Sequence, residues 1–436
     1  MTHQIPELPQ ELIETFIDYV RDLQPSPDHG STPTLKSCTL VCKAWLTRSR
    51  RHLFHDIEIK PASEEIKLSL RRITRDKAIE TFGHRLEPLL ETTNHPSCLP
   101  PEVSSLVQRL VISGDSFTAL TSAFDNGFFQ KLPFTSLQEI ELRDYRLGHR
   151  LHVDTLSFSE LLRKNPMLQS LHLVSLNFHQ EHEFLCMLSA LHQHVHFRML
   201  DIRSIYMTDQ PSSTSQLDEF FASRNDQQRP PLKVVRFRCP EDALTGGLFL
   251  RPDSLFDLSK LQELEIMPEE IKSLCFLSHC GSLIRLMLDI RVFIWRGLKI
   301  DPFSLSNLNQ LEYLEIDGLV FDHDLTEQAS FIHTLLPVLP TSLKCLSLRF
   351  DVFMPHLMRN FSEHGKKMGV MDEALSSSAR KAETETGSTA NAMLRNLELR
   401  IIYRKKVSLE LDVGIIESWF PRLKESGVVT TFERLE

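Results

Sequence analysis

Residues 137–142 read LQEIEL and residues 168–173 read LQSLHL, and the spacing inside these two stretches recurs along the chain. The pattern is apolar, any, any, apolar, any, apolar. It returns at Val107, Leu110 and Ile112, and at Phe197, Leu200 and Ile202. Further copies begin at Leu232, Leu261, Leu283, Leu311, Leu343 and Leu394, with a looser earlier one expected at Phe54, Ile57 and Ile59 and a fraying last one at Val407, Leu409 and Leu411. The second half of each copy alternates, which predicts a short strand with one face buried.

Most copies are spaced by about 30 residues, and apolar residues at helical spacing lie between them, such as Phe158, Leu161 and Leu162. A strand with a returning helix cannot bury its own apolar face, whereas stacked copies share one core. The pattern therefore predicts an α/β leucine-rich-repeat solenoid over residues 55–436 with a parallel, concave sheet. It is irregular, because the asparagine common after the strand in this repeat class is mostly missing and Asn177 stands one place late. Residues 369–392, polar and poor in apolar side chains, are expected to be a disordered insertion.

The first 54 residues have a different texture. In LPQELIETFIDYVRDL, starting at Leu8, residues Leu12, Ile13, Phe16, Ile17 and Val20 form a helical stripe, with Pro9 where a helix begins. Gln24 to Thr34 is rich in Pro, Gly and Ser and reads as a loop. A second helical stretch starts at Leu35 and places Cys38, Val41, Cys42, Trp45 and Leu46 at helical spacing.

Residues 4–54 resemble the F-box family. The resemblance rests on the Leu8–Pro9 pair with Glu11, Leu12, Ile13 and Ile17, on the run Leu40-Val41-Cys42-Lys43-Ala44-Trp45, and on the Leu53–Phe54 pair. The Gln24–Thr34 loop is longer than is usual there. With repeats behind it, the chain looks like the irregular F-box/leucine-rich-repeat proteins abundant in fungi. That resemblance implies a small three-helix domain that docks a Skp-type adaptor and, through it, a cullin–RING ubiquitin ligase, while the repeats select a protein substrate. Leu8, Pro9, Leu12, Ile13, Ile17, Leu40, Val41 and Trp45 are the implied adaptor contacts. The alternative is a repeat scaffold in which these helices only cap the first repeat.

Side chains between the buried leucines are expected on the concave face. There, a basic step at Arg236 and Arg238 stands beside an acidic one at Glu263 and Glu265, followed by Arg285, Asp289, Tyr313, Glu315 and Asp317. These residues are the expected substrate surface.

No motif argues for an enzyme or a cofactor. Only 15 glycines occur, and none builds a phosphate loop. His192, His194 and His196 alternate and would face one side of a strand, but no further ligand stands at a supporting spacing. The net charge of -9 argues against nucleic acid, and the basic run from Lys43 to Lys77 reads as a solvated helix face. The 8 cysteines show no disulfide framework and read as buried thiols in a reducing compartment. With no signal peptide or membrane-spanning run, the expected location is intracellular, cytoplasmic or nuclear.

Overall fold

The computed structural model describes residues 10–22, 31–40, 43–59, 101–114, 127–144, 151–208, 219–222, 229–239, 248–249, 254–267, 276–290, 305–320, 325–336, 339–352, 368–376, 398–405, 420–425 and 430–435. The chain forms two compact units. One comprises Met1–Phe197 with Ile205–Ser212, the other Arg198–Ser204 with Ser213–Glu436.

The first unit opens with three helices, α1 (Gln10–Asp22), α2 (Ser31–Cys38) and α3 (Lys43–Leu53). Two local expectations change. Helix α2 starts inside the stretch read as a loop, and it tolerates Pro33 because the first turn needs no backbone N–H donor there. The helix expected to run on from Leu35 instead breaks at a turn at Thr39 and Leu40. The Thr39 hydroxyl donates to Lys36 O (2.6 Å) and Leu40 N to Ser37 O (3.0 Å), bonds that close the last turn.

Four parallel strands follow in sequence order: β1 (Asp56–Ile59), β2 (Arg109–Gly114), β3 (Glu139–Asp144) and β4 (Ser170–Val174). Ile57, Leu110, Ile140 and Leu171 stand opposite one another, so the pattern position is also the ladder register. Chain returns through α4 (Thr155–Lys164), capped by Asp154 accepting from Ser157 N (3.2 Å), and through α5 (Glu181–Leu188). Both bury their apolar faces. Phe129 meets Phe158 edge-on at 4.9 Å, and Phe178 meets Phe184 at 4.6 Å. A second small parallel ladder joins Leu151–His152, Leu176–Phe178 and Tyr206–Met207.

Among its described residues, the second unit carries eight parallel strands in sequence order. They are β5 (Met199–Arg203), β6 (Val234–Arg238), β7 (Glu263–Ile266), β8 (Arg285–Asp289), β9 (Tyr313–Val320), β10 (Cys345–Val352), β11 (Glu398–Lys405) and β12 (Thr430–Leu435). Leu200, Val235, Leu264, Leu286, Leu314, Leu346 and Leu399 share one register row. The final strand is Thr430–Leu435, which the hydrophobic pattern did not announce; the copy expected at Val407 lies outside the described residues. The pairing of β9 with β10 shifts register after Ile316, where Gly318 adopts φ 87. That left-handed conformation favours glycine.

Parallel pairing is reinforced at the start of each strand. The carbonyl of the residue before a strand accepts N–H groups from the next repeat: Gln138 and Glu139 N to Gln108 O, and Gln169 and Ser170 N to Gln138 O. In the second unit Lys233, Gln262, Ile284 and Glu312 carry the same column. Each unit is therefore a leucine-rich-repeat-like array with a parallel sheet. Residues 368–376, all but the first of them inside the expected disordered insertion, form a helix that buries Met368, Met371, Ala374 and Leu375; residues 377–397 lie outside the described residues. Methionine and leucine at helical spacing in 368–375 supply the apolar face that the composition of the whole stretch concealed.

Among the described residues, no helix is long and apolar enough to cross a membrane.

Candidate interaction surfaces

The three N-terminal helices divide the expected adaptor residues into two sets. Ile13, Ile17 and Val20 recur at i, i+4 and i+7 and form the buried core of the helices, with Trp45 and Leu53 packed against them. Ile13 and Ile17 are thus corrected from surface contacts to core. The neighbouring stripe of the same helix, Leu12, Phe16 and Tyr19, is exposed at 56%, 47% and 59%, and Leu40 in the turn is exposed at 86%. Phe16 and Trp45 meet with ring centroids 5.4 Å apart, so half-buried Trp45 links the core to the exposed stripe. Leu8, Pro9 and Val41 lie outside the described residues. Tyr19 was missed by the sequence reading, although it follows Leu12 and Phe16 at helical spacing.

An ionic clamp fixes α1 against α3. The Arg48 guanidinium donates twice to Asp18, Nε to Oδ1 (2.8 Å) and Nη2 to Oδ2 (2.6 Å), while His52 Nε2 lies 2.6 Å from Oδ1. Arg48 beside it, with His52 assisting, holds the Asp18 carboxyl well below the usual carboxylate range against the opposing effect of burial. Arg48 is therefore a partner within the fold and not part of a freely solvated basic face. The basic residues from Lys60 to Lys77 lie outside the described residues.

On the sheet of the second unit, the side chains between the buried leucines are mostly paired among themselves. Arg203 holds Asp201 (2.8 Å), Arg236 lies 4.0 Å from Asp201 and 3.8 Å from Glu265, and Arg238 pairs with Glu265. The expected basic and acidic steps thus largely neutralise each other. Asp289 and Asp317 are fully buried, which corrects their place on an open surface. They stand opposite each other in register, Asp317 Oδ1 accepts the Gly318 N–H (2.8 Å), and Arg238 Nη2 lies 3.9 Å away.

Glu315 pairs with Arg349 (2.7 Å). Burial pushes its carboxyl up, with Arg349 opposing. Glu263, Arg285 and Tyr313 remain exposed.

The first unit's sheet face follows the same rule. Arg109 reaches Glu139 (2.7 Å) and Glu141 (2.9 Å), and Arg143 reaches Glu141 (3.0 Å) and Glu58 (3.1 Å).

The histidine trio does not share one side of a strand. His192 lies in the 3-10 turn Ser189–Gln193, with Nδ1 2.9 Å from Ser189 O, and His196 is exposed. His194 is buried, its Nε2–H donating to Leu162 O (2.9 Å), and its Nδ1 has no hydrogen-bond partner among the described residues. Burial pushes its pKa down, because a second N–H on the ring would find no acceptor. A histidine lowered in the folded state contributes stability fully above its unfolded value of about 6.5 and loses it as pH falls through that range. The melting temperature is therefore expected to fall between pH 7.5 and 5.5 more steeply in the wild type than in His194→Gln. Equal slopes would show that His194 does not govern this window.

Cys186 and His182, one turn apart on α5, approach to 3.5 Å beside a cavity of about 450 Å³ walled partly by Leu156 and Met187. Among the described residues, no group of three His, Cys, Asp or Glu side chains is placed to hold a metal ion. Cys38, Cys239, Cys280 and Cys345 are buried free thiols, and burial pushes Cys280 up to about 12.

Compared with known proteins, the sequence matches no family model and no curated protein. Among solved structures, it is similar to an internalin from Listeria monocytogenes, at 15% identity over 78% of this chain and 89% of that chain. The TM-score is 0.25, a likeness too loose to place a residue or a function.

Proposed function

We propose that this chain is a substrate-recognition adaptor of an SCF-type (Skp–cullin–F-box) ubiquitin ligase. Its N-terminal helices dock a Skp-type adaptor, and its repeat sheet holds a protein substrate. It carries no catalytic group in this reading. Its contribution is tethering, which raises the effective concentration of the target's lysines near the transferring enzyme. No metal or cofactor enters the scheme.

The observation that carries the proposal is the stripe Leu12, Phe16 and Tyr19 together with Leu40. These are large apolar side chains left exposed by a three-helix segment that has already buried Ile13, Ile17 and Val20. Scattered exposed leucines are ordinary, but an aligned aromatic and leucine stripe beside a finished core suits a partner helix. The motif order from Leu8 to Trp45 supports the same reading, and it adds Leu8, Pro9 and Val41 as proposed contacts.

A second reading has its own support. Helix α3 runs into β1 with only Phe54 and His55 between them, and His55 O accepts from Gln108 and Arg109 N (both 2.9 Å). Continuity of that kind suits a cap on the first repeat.

The two readings separate in a pulldown of the full chain with a purified Skp-type adaptor, alongside a variant carrying Leu12→Ser, Tyr19→Ser and Leu40→Ser. All three positions are exposed, so thermal unfolding is expected to match the wild type. Each apolar side chain buried at an interface contributes about 1.5–3 kcal/mol. The variant should therefore bind about a hundredfold or more weakly. A wild type that does not bind the adaptor at all leaves the capping role in place.

A further inference from the structure

Most charges on the second unit's sheet are spent on one another, and this makes the exceptions informative. Arg203, Arg236, Arg238 and Arg349 each have an acidic partner on the same face. Arg285 forms no ion pair among the described residues; its guanidinium lies over the Tyr313 ring, 5.5 Å from the centroid. Glu263 likewise forms no ion pair there. Glu263, Arg285 and Tyr313 occupy one register row on three adjacent strands, and all three are exposed, Tyr313 at 39%.

This row has the make-up of a binding hot spot. Arginine and tyrosine are the residue types that most often dominate interface energetics. An arginine stacked on a ring has its fork held in place before a partner arrives, which lowers the entropy lost on binding. Glu263 and Arg285 of this row help to line a hollow of about 150 Å³ together with Met287, Arg236 and Glu315, large enough for the end of one side chain.

We propose that the Glu263–Arg285–Tyr313 row is the docking point for an extended protein segment that carries an unmodified aspartate or glutamate for Arg285 and a lysine or arginine for Glu263. The proposal rests on the substrate-binding role given to this sheet above and names the chemistry it selects. Neighbouring strands lie about 4.8 Å apart, and side chains two places apart on an extended peptide share one face at about 6.6 Å, a separation that long charged side chains span. The charge inventory favours a carboxylate over a phosphate. Among the described residues of this face Arg285 is the arginine without an ion pair, and Glu263, Glu265 and Glu315 line the same hollow, so a dianion would meet more repulsion there than a single carboxylate.

The test is selection of random, unphosphorylated peptides displayed on phage against the full-length protein, followed by fluorescence anisotropy with the selected sequences. Peptides bearing an acidic residue two places from a basic one should be enriched. Arg285→Glu should weaken their binding about tenfold or more. The double exchange Glu263→Arg with Arg285→Glu should enrich peptides with the order of charges reversed.

Arg203→Gln, which removes a residue already paired with Asp201, should leave binding within about twofold, as self-paired surface charges contribute little. Failure to enrich any charged peptide, affinity unchanged in Arg285→Glu, or binding seen only with phosphoserine peptides would each overturn the proposal. The adaptor pulldown is independent of this surface, so the failure of one reading is distinguishable from the failure of the other.

Discussion

Replacing Asn165 with leucine is expected to destabilise the protein by roughly 3–5 kcal/mol, although the two side chains are similar in size. Asn165 is fully buried and ends α4. Its Oδ1 accepts the Leu137 N–H (2.8 Å), and its Nδ2 donates to Leu161 O (2.8 Å) and Phe134 O (3.1 Å). One amide thus ties its own repeat to the preceding one through three backbone groups that have no access to water. Leucine would leave them without those bonds, at about 1–3 kcal/mol for each group that finds no substitute.

Asn165→Asp separates the contributions. It keeps the acceptor for Leu137 but turns a donor into a charge facing two carbonyls, so it should be at least as damaging as leucine. Urea unfolding followed by circular dichroism gives the comparison. A midpoint shift corresponding to less than about 1 kcal/mol for Asn165→Leu would mean that water or rearrangement satisfies these groups.

The same residue explains what the sequence reveals and what it hides. Among the described residues the hydrophobic pattern located strands β1 to β10 in their register, because a buried ladder demands leucine-like residues at fixed spacing and little else can replace them. Its copy at Leu394 fell two places short, since Leu399 and not Leu397 stands opposite Leu346. Polar staples escape that logic. They lie three residues before the first apolar position of a copy, at Asn165 before Leu168, His194 before Phe197 and Cys280 before Leu283. From there the backbone carbonyl receives the N–H of that apolar residue. Their side chains bind backbone carbonyls nearby: His194 reaches Leu162 O, and the Cys280 thiol reaches Phe276 O at 3.6 Å.

Three different chemistries serve one geometric place, so no single letter recurs to betray it. The asparagine common after the strand is mostly missing, with Asn177 one place late, whereas the asparagine that joins two repeats, Asn165, stands before one. Strand β12 escaped for a related reason. In Thr430–Leu435 only Phe432 and Leu435 are large and apolar, and the strand is recognisable by its pairing with β11 alone.

The candidate surfaces were legible by face but not by partner. Alternation places Arg236, Arg238, Glu263 and Glu265 on the polar side of the sheet, yet only distances show that Arg238 and Glu265 are engaged with each other while Glu263 stands apart. On α1 the residues 12, 13, 16, 17 and 20 read as one stripe, because neighbouring helical stripes differ by a rotation of only about 100° per residue. The packing of α3 decides which of them is inside.

That division yields the second large effect. Ile17→Asp should unfold the three-helix segment, whereas Tyr19→Asp, two positions on, should leave it folded. Ile17 is wholly buried at the centre of the Ile13, Ile17 and Val20 cluster. An unpaired carboxylate there costs about 3–5 kcal/mol, and a hydrophobic core of this size supplies only about that much. Arg48 and His52 are already committed to Asp18, so neither can receive the new charge without releasing it.

Hydrogen exchange across residues 10–53 is the direct readout. Protection in α1 and α3 should vanish in Ile17→Asp and persist in Tyr19→Asp, with the ladder from β2 to β4 protected in both. If the proposed docking is correct, both variants lose the Skp-type adaptor for different reasons: one has lost the helices, the other only the surface. Adaptor binding that survives in Tyr19→Asp would place the docking surface elsewhere on these helices. Protection that survives in Ile17→Asp would show that the cluster around it is not what holds them together.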